Sequence, residues 1–212
     1  LAATGTARYH EGFGPLPEGF RFVAFNDLDE AAAAVSDKTA AILVEPIQGE
    51  GGVIPPSDGY LEGLQDLCRR HGLLFLLDEV QTGIGRSGAL FAYHRFGLEP
   101  DVVTLAKGLG GGVAVGAVMA TEEAACLLVP GDHGTTFGGN PLATTAVATV
   151  LETIREEALA ENAELMGLRL KAGLESLGGV LSVRGLGLLV AAETEAEAPK
   201  VAAKCLELRS EE

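Results

Sequence analysis

Three short apolar runs, each ending at a charged residue, restrict this chain more than any other feature. AILV with its preceding Ala, residues 40–44, ends at Glu45, and Pro46 stops it. LLFLL, residues 73–77, ends at Asp78 and Glu79, and residues 101–106 end at Lys107 and the glycines Gly108, Gly110, Gly111 and Gly112. Unbroken apolar runs of this length are what strands covered on both faces require. Between the first two lies a Gly- and Pro-rich loop, residues 48–56, and then a helical pattern with Leu61, Leu64, Leu67 and Cys68 on one face. Ser57 or Asp58 is the expected N-cap of that helix and Gly72 its C-terminal cap. Strand, helix, strand is a βαβ unit, and VAVGAVMA (residues 113–120) reads as a fourth strand. The middle of the chain is therefore expected to be α/β with a mostly parallel sheet.

From residue 141 to about 178 the sequence becomes rich in Ala, Leu and Glu with helical spacing, predicting one long helix or two separated near residues 156–161. SVRGLGLLVAAE, residues 182–193, predicts a strand pair, and a last helix spans about 199–208. The change of character places residues 1–145 in one domain and 146–212 in a connecting helix and part of a second, smaller one.

Charge and composition exclude several classes of function. With 47% hydrophobic and 21% charged residues the chain is too apolar for disorder. Fifteen basic against 30 acidic residues give a net charge of -15, a field that repels nucleic acid and anionic lipid. Cys68, Cys126 and Cys205 are scattered and odd in number, so no disulfide framework is expected and a reducing cytoplasm fits best. No apolar stretch is long enough to span a membrane. LAATGTARYHEGFG lacks the regions of a signal peptide, and a start without Met is what an internal piece would show. His10, His71, His94 and His133 have no metal-ligand spacing, so no metal is expected, and His71 reads as a helix-end residue.

In open parallel sheets ligands bind beyond the C-terminal strand ends, where Glu45, Asp78 and Lys107 converge. One acid there is most simply a strand leaving the core; a lysine between an apolar run and glycines, with two acids at neighbouring ends, points to a site. Desolvated, such a lysine reaches its neutral form and forms a Schiff base with an aldehyde, and a carboxylate at the next strand end can keep a pyridinium nitrogen protonated. GIGRSG (residues 83–88) matches a dinucleotide fingerprint, which would make the chain a nicotinamide-dependent oxidoreductase. Its strand ends too early and no apolar-faced helix opens after it, so its glycines are expected to serve loop geometry. A non-catalytic, partner-binding chain is the remaining alternative.

LLFLLDEVQTGIGRSG and DVVTLAKGLGGG, with AILVEPIQGEGGVIPP, HGTTFGGNPLA and VRGLGLL in the same order, resemble the class III aminotransferases, and within them the acetylornithine aminotransferase subgroup. The resemblance runs over nearly the whole chain. It implies a fold type I transferase: a large domain with a mostly parallel sheet and the start of a small α+β domain. It implies pyridoxal 5'-phosphate as cofactor, with Lys107 as the Schiff-base lysine, Asp78 as partner of the ring nitrogen, Val80 against the ring face and Gln81 at the phenolic oxygen. Glu50 resembles the substrate-pocket glutamate that pairs with an arginine in one half-reaction, and Thr136 the threonine that binds phosphate across a homodimer interface. The implied reaction moves an amino group from an ω-amino donor, N-acetylornithine, to 2-oxoglutarate in arginine biosynthesis. Ornithine, succinylornithine, acetyl-lysine and 4-aminobutyrate are alternative donors. Ser87, Ala114 and Ala191 depart from the commoner Thr, Pro and Gly of the family. The family also carries an upstream phosphate-binding turn, a ring-stacking aromatic and carboxylate-binding arginines that this sequence lacks, so weak cofactor binding by the isolated chain is expected.

Overall fold

The computed structural model describes residues 1–209. After an N-terminal stretch with one 3-10 turn at Ala7–Tyr9 comes a short helix, α1 (Leu28–Ala34), capped by Asp27, whose side chain accepts from the Glu30 N–H. Strand β1 (Ala41–Val44), helix α2 (Tyr60–His71) and strand β2 (Leu74–Asp78) then form the expected βαβ unit. Strands β3 (Val102–Leu105) and β4 (Ala117–Ala120) complete a sheet ordered β1-β2-β3-β4. β1, β2 and β3 are parallel, whereas β4 runs antiparallel to β3.

Two local expectations need correction. The fourth strand is half its expected length: the Val113 N–H closes a turn on the Gly110 carbonyl, and pairing with β3 begins only at Ala117. Neither Ser57 nor Asp58 caps α2: the Tyr60 N–H bonds the Ser57 carbonyl in a turn, which leaves Gly59, at φ 77°, as the N-cap before Tyr60. Gly72 ends α2 as expected, at φ 65° with its N–H on the Cys68 carbonyl, and His71 is the last helical residue.

Residues paired across strands share a face. One face carries Phe75, Leu77 and Val103; α2 covers Phe75 and Leu77 with Leu61, Leu64, Leu67 and Cys68, while Val103 packs in a second cluster with Leu105 and Leu109. Gly63 lets α1 approach, since a Cβ there would press into the Leu28 side chain. The opposite face carries Leu43, Leu76, Val102, Thr104 and Val118, and also Asp78. There Leu43 and Val118 are exposed, so the expectation of strands covered on both faces holds for only one of them.

The long helical region is two helices, α4 (Pro141–Glu156) and α5 (Leu159–Glu175), broken at Ala158 with φ 51°. A four-residue helix, α3 (Glu122–Ala125), precedes them. Strands β5 (Val180–Leu186) and β6 (Leu189–Thr194) form the predicted antiparallel pair, and α6 (Ala198–Arg209) ends the described chain. α4 rests on the 3-10 turn Lys107–Gly110: its Val147 packs with Val103, Leu105 and Leu109.

Candidate functional site

The loops that leave β1, β2 and β3 at their C-terminal ends meet. Each contains a non-glycine residue in the left-handed region: Val53 at φ 51°, Ile84 at 56° and Lys107 at 48°. For the β-branched Val53 and Ile84 this is a true outlier, and such strain persists only where the surroundings impose it, typically around a site. Ile84 packs beneath Gly108, adjoining Lys107. A Cβ on Gly49 would overlap the Gln81 amide, so the β1 and β2 loops touch at this point.

Glu45 reports how close the charges lie. Its carboxyl is held above the ordinary range first by burial; the Gly49 N–H, donating at 2.9 Å, opposes that, Asp78 raises it further, Lys107 lowers it and Glu50 raises it. Glu45, Asp78, Lys107 and Glu50 therefore share one electrostatic neighbourhood, the first three as the strand ends predict. Lys107 itself is exposed, contrary to the expected desolvation. The reason is local: with φ 48° it turns out of the sheet at the head of its 3-10 turn, past the last covered strand residue.

Asp78 is half-buried and its Oδ1 accepts the Val80 N–H at 2.9 Å, which fixes the carboxylate against its own loop. Oδ2 has no hydrogen-bond partner among the described residues, and the Lys107 amine has none either. A fixed carboxylate with one open oxygen beside an unpaired amine is the donor set that a pyridinium nitrogen and an aldehyde require, so these residues fit pyridoxal phosphate at its ring and aldehyde ends. Thr136 lies apart from them in the exposed loop before α4, where no hydrogen bond ties it to Asp78 or Lys107 among the described residues; Thr135 Oγ1 beside it accepts the Gly138 N–H. Glu50 is exposed and meets the N-terminal stretch: the Tyr9 hydroxyl donates to its Oε1, and Arg8 Nη2 lies 3.6 Å away.

Glu79 was visible in the sequence only as the second acid after LLFLL, without a task. It is fully buried on the face opposite Asp78. Its carboxylate accepts the Thr82 hydroxyl and, at 2.8 Å, the Tyr93 N–H, tying together the two ends of the loop that carries Val80 and Gln81. Burial drives its pKa up, against the hydrogen bonds from Thr82, Tyr93 and Ala92. A Glu-x-x-Thr pair directly after a buried strand was the available signal.

The GIGRSG segment is a turn with Gly85 and Gly88 at φ 81° and 89°, and no α-helix opens from it, so its glycines do serve loop geometry. It also receives the β5–β6 hairpin: the Leu188 N–H bonds the Arg86 carbonyl at 2.9 Å, and Gly187 packs on Ser87 and Gly88. Arg95 bonds the Ser87 carbonyl and pairs with Glu164 of α5 at 2.5 Å. Arg184 of β5 reaches the Gly52 carbonyl in the Glu50 loop at 2.9 Å.

Comparison with known proteins follows the same lines. A family model described as "Aminotransferase class-III" matches residues 1–211. The chain is 49% identical over 201 residues to an acetylornithine aminotransferase of Methanothermobacter thermautotrophicus, covering 93% of this chain and 52% of that protein. Its structure resembles the ornithine aminotransferase of Toxoplasma gondii with a TM-score of 0.91 at 36% identity, covering 97% of this chain and 51% of the other. The acetylornithine aminotransferase of Elizabethkingia anophelis gives 0.82 at 38% identity, with 89% and 52% covered. The chain thus spans about half the length of the curated relatives it matches.

Proposed function

The chain belongs to the class III aminotransferases, a family that works with pyridoxal phosphate, and from that premise we propose that it carries the lysine-bearing half of an active site that moves an amino group from N-acetylornithine to 2-oxoglutarate. The observation that carries this reading is the convergence of Asp78, with its open oxygen, and the unpaired Lys107 at adjacent ends of parallel strands. The donor follows the 46–50% identities to acetylornithine aminotransferases. Ornithine is the second reading, favoured by the TM-score of 0.91 to an ornithine aminotransferase.

When bound, pyridoxal phosphate supplies an aldehyde that takes up amino groups and a ring that withdraws electrons. Asp78 Oδ2 would hold the proton on the ring nitrogen, and the Val80 N–H on Oδ1 keeps that carboxylate aimed. Val80 would lie against the ring face, and Gln81, packed on Gly49, would meet the phenolic oxygen. Lys107 Nζ would hold the aldehyde end of the cofactor and, as a free amine, would carry the proton taken from the substrate carbon. Glu50 faces the substrate at the rim.

Residues 1–145 belong on this reading to the large domain and 146–212 to a connecting helix and part of a small one, joined through the hydrogen bonds of Arg184 and Leu188. A homodimer is part of the proposal: Thr136 serves the second copy's phosphate, and the exposed Leu127, Leu128, Val129 and Phe137 around it suit a protein-covered surface. Cytoplasmic residence is proposed from the three free cysteines; among the described residues no helix is long and apolar enough to cross a membrane. The experiment is a coupled assay of glutamate formation with N-acetylornithine and ornithine as competing donors. Assayed in the full-length protein, preference for N-acetylornithine supports the first reading, preference for ornithine the second, and no glutamate from either contradicts both.

A further inference from the structure

Glu45 follows directly on β1 and feels the charges of Asp78 and Lys107, yet the reaction as described gives it no task. Its side chain spans the buried Pro46 and Ile47, and its Oε2 accepts the Gly49 N–H at 2.9 Å. Gly49 is itself buried, and no other acceptor meets that N–H among the described residues. A buried backbone N–H without an acceptor is strongly disfavoured, so the Glu45 carboxyl fixes where Gly49 stands.

Gly49 in turn is the floor under Gln81. The first three heavy atoms that a Cβ on Gly49 would meet are Nε2, Cδ and Oε1 of Gln81, all inside van der Waals contact. The Gly49 backbone lies outside the left-handed region, so a side chain is barred there by the Gln81 amide and not by φ. That amide makes no hydrogen bond among the described residues, so its direction is set by the surface it packs on. The rest of the loop is closed on itself: Gln48 and Ile54 exchange backbone hydrogen bonds of 3.0 and 2.9 Å, and Arg184 Nε holds the Gly52 carbonyl. The Glu45 carboxyl ties this closed loop back to the end of β1.

We propose that Glu45 is a positioning residue of the cofactor site: by holding the Gly49 N–H it sets the floor on which the Gln81 amide lies, and so directs that amide to the phenolic oxygen. The proposal rests on the reading of Gln81 as a contact of pyridoxal phosphate. The task is one of holding, not of charge. Burial, the leading influence on the Glu45 carboxyl, favours its neutral form, and a neutral amide at this position offers an oxygen that accepts the same N–H, whereas a methyl group offers none. The two strand-end glutamates then have parallel duties, Glu79 fixing the loop after β2 and Glu45 the loop after β1, at the point where the two loops touch.

The test is NMR of the full-length protein, isotope-labelled at glycine and glutamine, without added cofactor. Glu45→Ala should speed exchange of the Gly49 N–H about tenfold, the loss of one hydrogen bond, and move the Gln81 side-chain amide signals toward those of a free amide. Glu45→Gln should keep both as in the parent. Gly49→Ala, which retains Glu45 and the backbone N–H, should move the Gln81 signals alone. Circular dichroism checks the fold of each variant; if Glu45→Ala does not fold, the other two carry the test. Parent-like Gly49 exchange or Gln81 signals in Glu45→Ala overturn the proposal. So does Glu45→Gln as disturbed as Glu45→Ala, or Gly49→Ala with the Gln81 signals unmoved. Capture of pyridoxal phosphate at Lys107 is scored separately by borohydride labelling. Labelling without the Gln81 response sinks the positioning role alone; the Gln81 response without labelling supports the coupling of Glu45 to Gln81 and sinks the transaminase reading.

Discussion

The two faces of the central sheet belong to the same four strands but are finished differently. On the α2 side Phe75 and Leu77 are fully buried and the Glu79 carboxylate is saturated with donors. On the other side Asp78 keeps an oxygen open and Val118 is 67% exposed. The first face holds the loops still; the second offers groups to something outside the described chain. Adjacent residues divide the work, since Asp78 and Glu79 are consecutive and point to opposite faces.

The largest effect expected is at the open face's carboxylate. Asp78→Asn should lower turnover by about three orders of magnitude, ~4 kcal/mol in the barrier, while borohydride labelling of Lys107 persists, because an amide cannot hold the ring proton. Normal turnover in that variant would remove the functional distinction between the faces. Next comes the closed face: Phe75→Ala should cost about 3–4 kcal/mol in urea unfolding, as a fully buried aromatic leaves a cavity beside α2. A loss under about 1 kcal/mol there would show that the α2 face is no better packed than the other.

Glu79→Ala should cost about 2–3 kcal/mol by orphaning the Tyr93 N–H and Thr82 hydroxyl, whereas Glu79→Gln can meet both. The pH dependence has a definite sign. Burial raises the Glu79 pKa above 4.5, so the stability it contributes is complete below that value and is lost as pH rises; the parent's advantage over Glu79→Gln should shrink from pH 4 to 7. Glu164 behaves oppositely. Its hydrogen bond from Arg95 lowers its pKa, so its contribution, about 1 kcal/mol for a partly exposed pair, is present above the ordinary value of 4.5 and lost on acidification. Glu164→Gln should flatten that acid limb in thermal melts across pH 3–6. The smallest effect is expected at Val118→Ser on the open face, within about 0.5 kcal/mol.

Much of the α2 face was legible in advance, because periodicity and apolar runs report burial directly. The βαβ unit, the Gly72 cap, the break between α4 and α5 and the β5–β6 pair all stand in the structure. Strand direction was not legible at β4, since an apolar segment reads the same in either sense. The Gly59 start of α2 was hidden because Ser57 lends its carbonyl to a turn where its side chain suggested a cap. At the site, strand-end position brought out Glu45, Asp78 and Lys107, but no local pattern predicted the exposure of Lys107 or the meeting of Glu50 with Tyr9, 41 residues away. Long-range contacts leave no periodic trace.

The central claim is that Lys107, alone among the lysines, is placed to capture an aldehyde cofactor. The direct measurement is incubation with excess pyridoxal phosphate, which offsets the weak binding expected of this chain, followed by borohydride reduction and peptide mapping by mass. The account predicts a single modified site at Lys107, abolished in Lys107→Ala and protected by prior addition of an amino donor, with Lys38, Lys171, Lys200 and Lys204 unmodified. Label spread evenly over the five lysines, or undiminished in Lys107→Ala, would contradict it.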